Sequence, residues 1–200
     1  MKAMKLLLPL YFLLAIGCAS TKMAVAPEQT LSPVAADQAR VVFLRASFFG
    51  NAIQAALFDV SDGEPEFIGI ISDGTKLAYE TDAGHRVFMV VSEAADFMEA
   101  DLQAGLTYCG MVTPRMGAWR ARFSQWTVRN GPSGEYDLNS DKFQGWLEKN
   151  SLVVNTPVSE QWFTDNLESI QEKQAKYWAA WQEKSAQDLA ERTLNPEDGI

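Results

Sequence analysis

Between residues 40 and 128 the chain is cut into short apolar runs by turn residues at nearly regular intervals. The runs cover residues 40–47, 51–60, 66–71, 75–80, 85–91, 96–102, 106–113 and 118–128. Asp62-Gly63, Asp73-Gly74, Asp82-Ala83-Gly84, Gly105 and Met116-Gly117 lie between them. Strands about 8–12 residues apart, joined by Asp-Gly and Gly turns, predict a mainly antiparallel, β-sandwich-like domain. No gap between consecutive runs is long enough for a crossover helix, which argues against parallel βαβ units. Residues 41–44 and 86–91 are apolar on both faces, so they are expected at the centre of the structure, with cover on their second side.

Covering material follows residue 130. A loop at Asn130-Gly131-Pro132-Ser133-Gly134 leads to a short helix over 140–149, capped by Asn139 or Ser140 and presenting Phe143, Trp146 and Leu147 together. Residues 152–154 read as an edge strand or a linker. Thr156-Pro157-Val158-Ser159 then supplies a cap and a first-turn proline, and no Pro or Gly interrupts the chain from 158 to 192. Phe163, Leu167, Ile170, Gln174, Tyr177, Trp181, Ser185 and Leu189 fall at alternating steps of four and three, widened by Trp162 and Trp178. The pattern predicts a long amphipathic helix within 156–192, about 33 residues and about 50 Å long after its cap. The fold class is therefore α+β: a β domain over 40–155, a long C-terminal helix, and a disordered tail at 193–200.

The first 17 residues carry Lys2 and Lys5 ahead of an apolar stretch, 6–16, too short to span a bilayer. Leu14-Ala15-Ile16-Gly17-Cys18 resembles a bacterial lipoprotein processing site. That resemblance implies removal of residues 1–17, a lipid (palmitate-type) anchor on Cys18, and, because Ala19 and not Asp follows it, an outer-membrane destination facing the periplasm. Residues 18–39, rich in Ala, Pro, Ser and Thr, then read as a flexible tether. If fully extended, about 21 residues at roughly 3 Å each give some 60 Å of clearance. The formal charge is −9, from 17 basic and 26 acidic residues; without the two leader lysines it is −11. Nucleic acid and anionic lipid headgroups would on average be repelled. Arg120, Arg122 and Arg129 form the one tight arginine group, and their spacing marks the solvent face of a strand.

Residues with chemistry are few. No phosphate loop, dinucleotide fingerprint, His-Glu-x-x-His site or Gly-x-Ser-x-Gly elbow occurs, so no cofactor is implied. His85 is the single histidine. Acting as a base on Cys109 it would make a hydrolase; the plainer reading puts His85 at a strand entrance and Cys109, which has no partner if Cys18 is acylated, in the core. Asp59, Asp62, Glu64 and Glu66 crowd one turn, but the glycine falls at the fifth position from Asp59 where a calcium loop needs it at the sixth. A solvated acidic turn fits them better. On the long helix, the first aromatics are expected to pack on the sheet. Tyr177, Trp178 and Trp181 admit two readings, core packing or an anchor for an envelope protein partner.

Three further motifs carry a resemblance. Ala39-Arg40-Val41-Val42-Phe43-Leu44-Arg45, Asp82-Ala83-Gly84-His85-Arg86 and Ala104-Gly105-Leu106-Thr107-Tyr108-Cys109 together resemble a family of small, uncharacterised bacterial lipoprotein domains over residues 39–113. The resemblance implies a β-sandwich-like module on a lipid anchor, with no established activity or ligand. The expectation is a membrane-anchored envelope lipoprotein with a structural or protein-binding role, with a hydrolase using His85 and Cys109 as the alternative.

Overall fold

The computed structural model describes residues 22–46, 53–115 and 122–200. The leader, Cys18, Trp119 and Arg120 fall outside them. The strands are β1 (Ala24–Val25), β2 (Gln38–Arg45), β3 (Ala55–Asp59), β4 (Glu66–Ile71), β5 (Thr75–Asp82), β6 (Gly84–Val91), β7 (Ala95–Leu102), β8 (Thr107–Arg115), β9 (Arg122–Arg129), β10 (Tyr136–Asp137), β11 (Ser151–Val154) and β12 (Thr193–Leu194). Helix α1 is Asp141–Lys149, α2 is Pro157–Gln182 and α3 is Ala186–Ala190. One sheet has the order β1-β11-β5-β2-β8-β9-β10 and the other β12-β7-β6-β3-β4. The α+β, sandwich-like class expected from the sequence is the one observed.

The doubly apolar strands are central, as their composition requires. In β2, Val41 and Phe43 face the core between the sheets, whereas Val42 and Leu44 join Cys109, Met111 and Val128 under Phe143 of α1. In β6, Phe88 meets Phe43 edge-on at 5.2 Å, while the alternate side chains lie under α2. The molecule is therefore layered helix–sheet–sheet–helix. A bulge leaves Ile68 unpaired between Phe67 and Gly69 on β4. Gly69 has φ of +153°, and a Cβ there would sit 2.9 Å from Leu77 and 3.1 Å from Met23, so only glycine fits.

Both helix starts behave as read. The Ser140 hydroxyl accepts from Phe143 N, and Thr156 and Ser159 form a reciprocal capping box with Pro157 in the first turn. The long helix, however, ends at Gln182 and not at 192. Ser185 caps α3 by accepting from Asp188 N, which offers the backbone a new helix start after a turn. At 26 residues α2 is about 39 Å long.

Four other expectations change. The sheets are mixed: β2–β8, β5–β11, β9–β10 and β7–β12 are parallel. Between β2 and β8 the chain forms two hairpins of the other sheet and β5, so the crossover is supplied by whole strands and no helix is needed. The segment taken as a tether is not free from residue 22 onward. Its β1 pairs with β11, Met23 and Ala26 are buried, and Arg40 Nη1 donates to Ser32 O at 2.7 Å. The tail 193–200 is ordered as β12 and a 3₁₀ turn at Pro196–Asp198, with Leu194 and Asp198 buried. Finally, Arg122 is exposed as expected, but Arg129 points inward onto that tail.

Candidate functional site

The concave surfaces lie where helices cross sheet ends. Under the second half of α2 is a cleft of about 500 Å³, walled by Val60, Val87, Ala175 and Trp178. Its rim is polar and already tied across: Gln171 Nε2 donates to Glu64 Oε2 at 2.8 Å, and Gln174 Nε2 to Gly63 O at 2.8 Å. The turn beneath is fixed by Asp59, which accepts from Ser61 N at 2.9 Å, from the Ser61 hydroxyl, and from Tyr79 OH at 3.3 Å. Burial, with the Asp59 carboxylate second, pushes the Tyr79 phenol well above its ordinary value and keeps it neutral. Such a cleft suits a small, partly apolar group or a partner side chain, held by shape and amide hydrogen bonds.

At the other end of the sandwich, a polar groove of about 680 Å³ lies between the β9–β10 loop and the C-terminal segment. Its floor is charged. Arg129 donates to Asp198 Oδ2 at 2.5 Å, to Thr193 O at 2.7 Å and to Ala190 O at 2.6 Å. Close by, Asp96 on β7 takes both Arg192, at 3.1 Å, and Arg115, and the Arg192 guanidinium stacks 3.6 Å above the Trp126 ring. Burial lowers the Arg192 pKa, with Asp96 opposing that shift. Arg129 thus directs its donors to the C-terminal segment, and Arg192 of that segment directs its own to Asp96 and Gln125 O of the sheets. Sequence reasoning missed them because the pairs are separated by 69 and 96 positions and no local signal links them.

A third, smaller cleft of about 200 Å³ opens beside the first half of α2, where Lys22 and Lys173 stand over Ala55, Ile70 and Ile170. Lys22 Nζ lies 6.0 Å from the Trp162 ring, and Thr156 Oγ1 donates to Lys22 O at 2.5 Å. The start of the described chain is thus fastened to the start of α2.

The sequence candidates are not brought together. His85 is solvent-exposed at the start of β6 and pairs with Asp101 across the hairpin, Nδ1 to Oδ1 3.0 Å. Cys109 is buried in the cluster between the other sheet and α1, where desolvation pushes its thiol up to about 12. A thiol so placed, on a different sheet from the histidine, is no nucleophile for it, so His85 and Cys109 do not form a catalytic pair. The acidic quartet is divided among Ser61, Tyr79 and Gln171 contacts, and among the described residues no cluster is arranged to hold a metal ion. Of the three anchor candidates, Trp181 is taken up by the core, while Tyr177 and Trp178 stay half-buried and Trp178 lines the α2 cleft. Trp181 is 3 % exposed and donates to Glu99 at 3.0 Å, Trp178 packs edge-on to Phe97 at 5.0 Å, and half-buried Tyr177 packs against the same core. They cover the apolar outer face of β7, as a helix on a sheet must. No protein-family model matches this chain and neither does any curated protein, so the likeness of residues 39–113 to lipoprotein domains rests on its three motifs alone.

Proposed function

We propose that this chain is a lipoprotein of the bacterial outer membrane, held by an acylated Cys18, with a structural or binding role in the envelope. The leader pattern around Lys2, Lys5 and Gly17-Cys18-Ala19 supports the anchor. That leader pattern carries the reading, and the fastening of Lys22, four positions beyond Cys18, to Thr156 and Trp162 ties the anchor point closely to the folded body. Whatever holds Cys18 holds the whole domain. Among the described residues no helix is long and apolar enough to cross a membrane. The α2 cleft, with its apolar walls and amide rim, supports a binding role over catalysis.

Cys18→Ser tests this directly. The wild-type protein should incorporate labelled fatty acid and sediment with the denser, outer-membrane fraction. The variant should incorporate none and become soluble with an unchanged circular-dichroism spectrum. A variant that stays in membranes after a high-salt wash, or a wild-type protein that takes up no label, would overturn the anchor.

A further inference from the structure

We infer that the domain rests directly on the lipid surface, meeting it with the corner formed by β1, the end of β11 and the first turn of α2. The inference rests on the acyl anchor proposed above and adds the face that the anchor presents. Only Ala19, Ser20 and Thr21 separate Cys18 from Lys22. Four residue steps span at most about 14 Å, whatever their conformation. That is less than the radius of gyration of a domain this size, roughly 16 Å. An anchor set in the headgroup layer therefore keeps the corner within about 14 Å of the membrane, where a tether of about 60 Å would not.

The surface of that corner suits the contact. Among the described residues only five large apolar side chains are exposed, and three are here: Val25 at 64 %, Val154 at 42 % and Val158 at 61 %. They flank one sheet edge, Val25 and Val154 from its two opposite faces and Val158 from the first turn of α2. Ala24 pairs with Val154, Val25 follows Ala24, and Val158 N donates to the same Thr156 hydroxyl that holds Lys22. Lys22 and half-buried Trp162 add an amphipathic pair of the kind that sits at the headgroup level. Glu160 is the acidic residue of the α2 first turn. With a formal net charge of −9, the protein suits a mostly zwitterionic leaflet better than a strongly anionic one.

The test uses acylated, full-length protein in phosphatidylethanolamine–phosphatidylglycerol vesicles. A solvatochromic dye is attached at Val25→Cys, at Val158→Cys, or at Glu135→Cys, which lies beside β10 at the opposite edge of the same sheet. Six strand spacings, about 29 Å, separate the two edges. Cys18 is blocked by lipid and Cys109 is buried, so neither competes for label. At the two valine sites emission should shift to the blue, and nitroxide-headgroup lipids should quench it several-fold more than at Glu135→Cys. Adding Val25→Asp and Val154→Asp should remove most of that quenching at Val158→Cys while flotation persists. If the three sites behave alike although the protein floats with the vesicles, the resting contact is wrong and the anchor stands. A blue shift that grows with protein density and resists lipid quenching would assign the corner to a second copy and overturn the proposal. Failure to float would reject the anchor itself.

Discussion

Both ends of the described chain add a short strand to a sheet, but different forces hold them. At the N-terminal end, β1 pairs with β11, Ala26 N donates to Leu152 O at 2.8 Å, and the Gln29 amide exchanges two hydrogen bonds with the Leu152 backbone, as a strand neighbour would. Met23 fills the space beside Gly69 and Leu77. At the C-terminal end, β12 pairs with β7, and buried charges do the fastening: Arg129 on Asp198, and Arg192 on Asp96, which exposed Arg115 also meets. Apolar contact and backbone pairing are lost gradually as groups are trimmed. A buried ion pair loses far more when one partner goes, because the other is left charged in a poor solvent.

That contrast predicts its own largest effect. Asp96→Ala leaves buried Arg192 without its carboxylate and should cost about 4 kcal/mol in denaturant unfolding, with the C-terminal segment losing hydrogen-exchange protection first. A loss below about 1 kcal/mol would mean that the Trp126 stack and backbone contacts hold the segment without the ion pair. Met23→Ala, at a site near the surface, should cost about 2 kcal/mol and loosen β1 while the C-terminal amides stay protected. Equal loosening of both ends would show that they open as one unit.

Alkaline pH separates the regions most finely. Cys109 has a folded pKa raised to about 12 by burial, so the folded state keeps a proton that the unfolded state releases above its ordinary value near 8.5. Stability is fully present below about pH 8.5 and falls as pH rises toward 12, by at most about 1.4 kcal/mol per unit. Cys109→Ala should flatten that slope without moving either end. Burial also raises Tyr108, whose hydroxyl donates to Pro196 O at 3.3 Å, so above about pH 10 the C-terminal segment should loosen before the N-terminal one. Tyr108→Phe should abolish that order, and an unaltered order would remove Tyr108 as its cause.

Much of the fold was legible because its signals are local. The Asp-Gly turns, the doubly apolar β2 and β6, the caps at Ser140 and Thr156, and the helical stripe from Phe163 to Trp181 each depend on residues within one or two turns of the chain. The burial of Cys109 followed from its apolar flanks. The stripe could not say whether Trp181 faces a sheet or a partner, because the same spacing serves both. The helix stop at Gln182 carries only a faint sequence signal in Ser185, in a stretch that lacks Pro and Gly.

The sequence by itself determined the element types, the layering that two apolar faces demand, and the narrow set of residues with any chemistry. Tertiary structure alone decided which strands became neighbours. It set β2 parallel to β8 across two intervening hairpins, and it recruited the polar, proline-bearing segment near residue 24 and the charged segment near 193 as strands. The physical reason is that pairing energy comes from backbone hydrogen bonds open to any sequence at a free sheet edge, and from partners such as Asp96 and Arg192 that meet only after the sheets have formed. The same recruitment brings the chain onto the body within four residues of Cys18, a closeness that composition had read as a long tether.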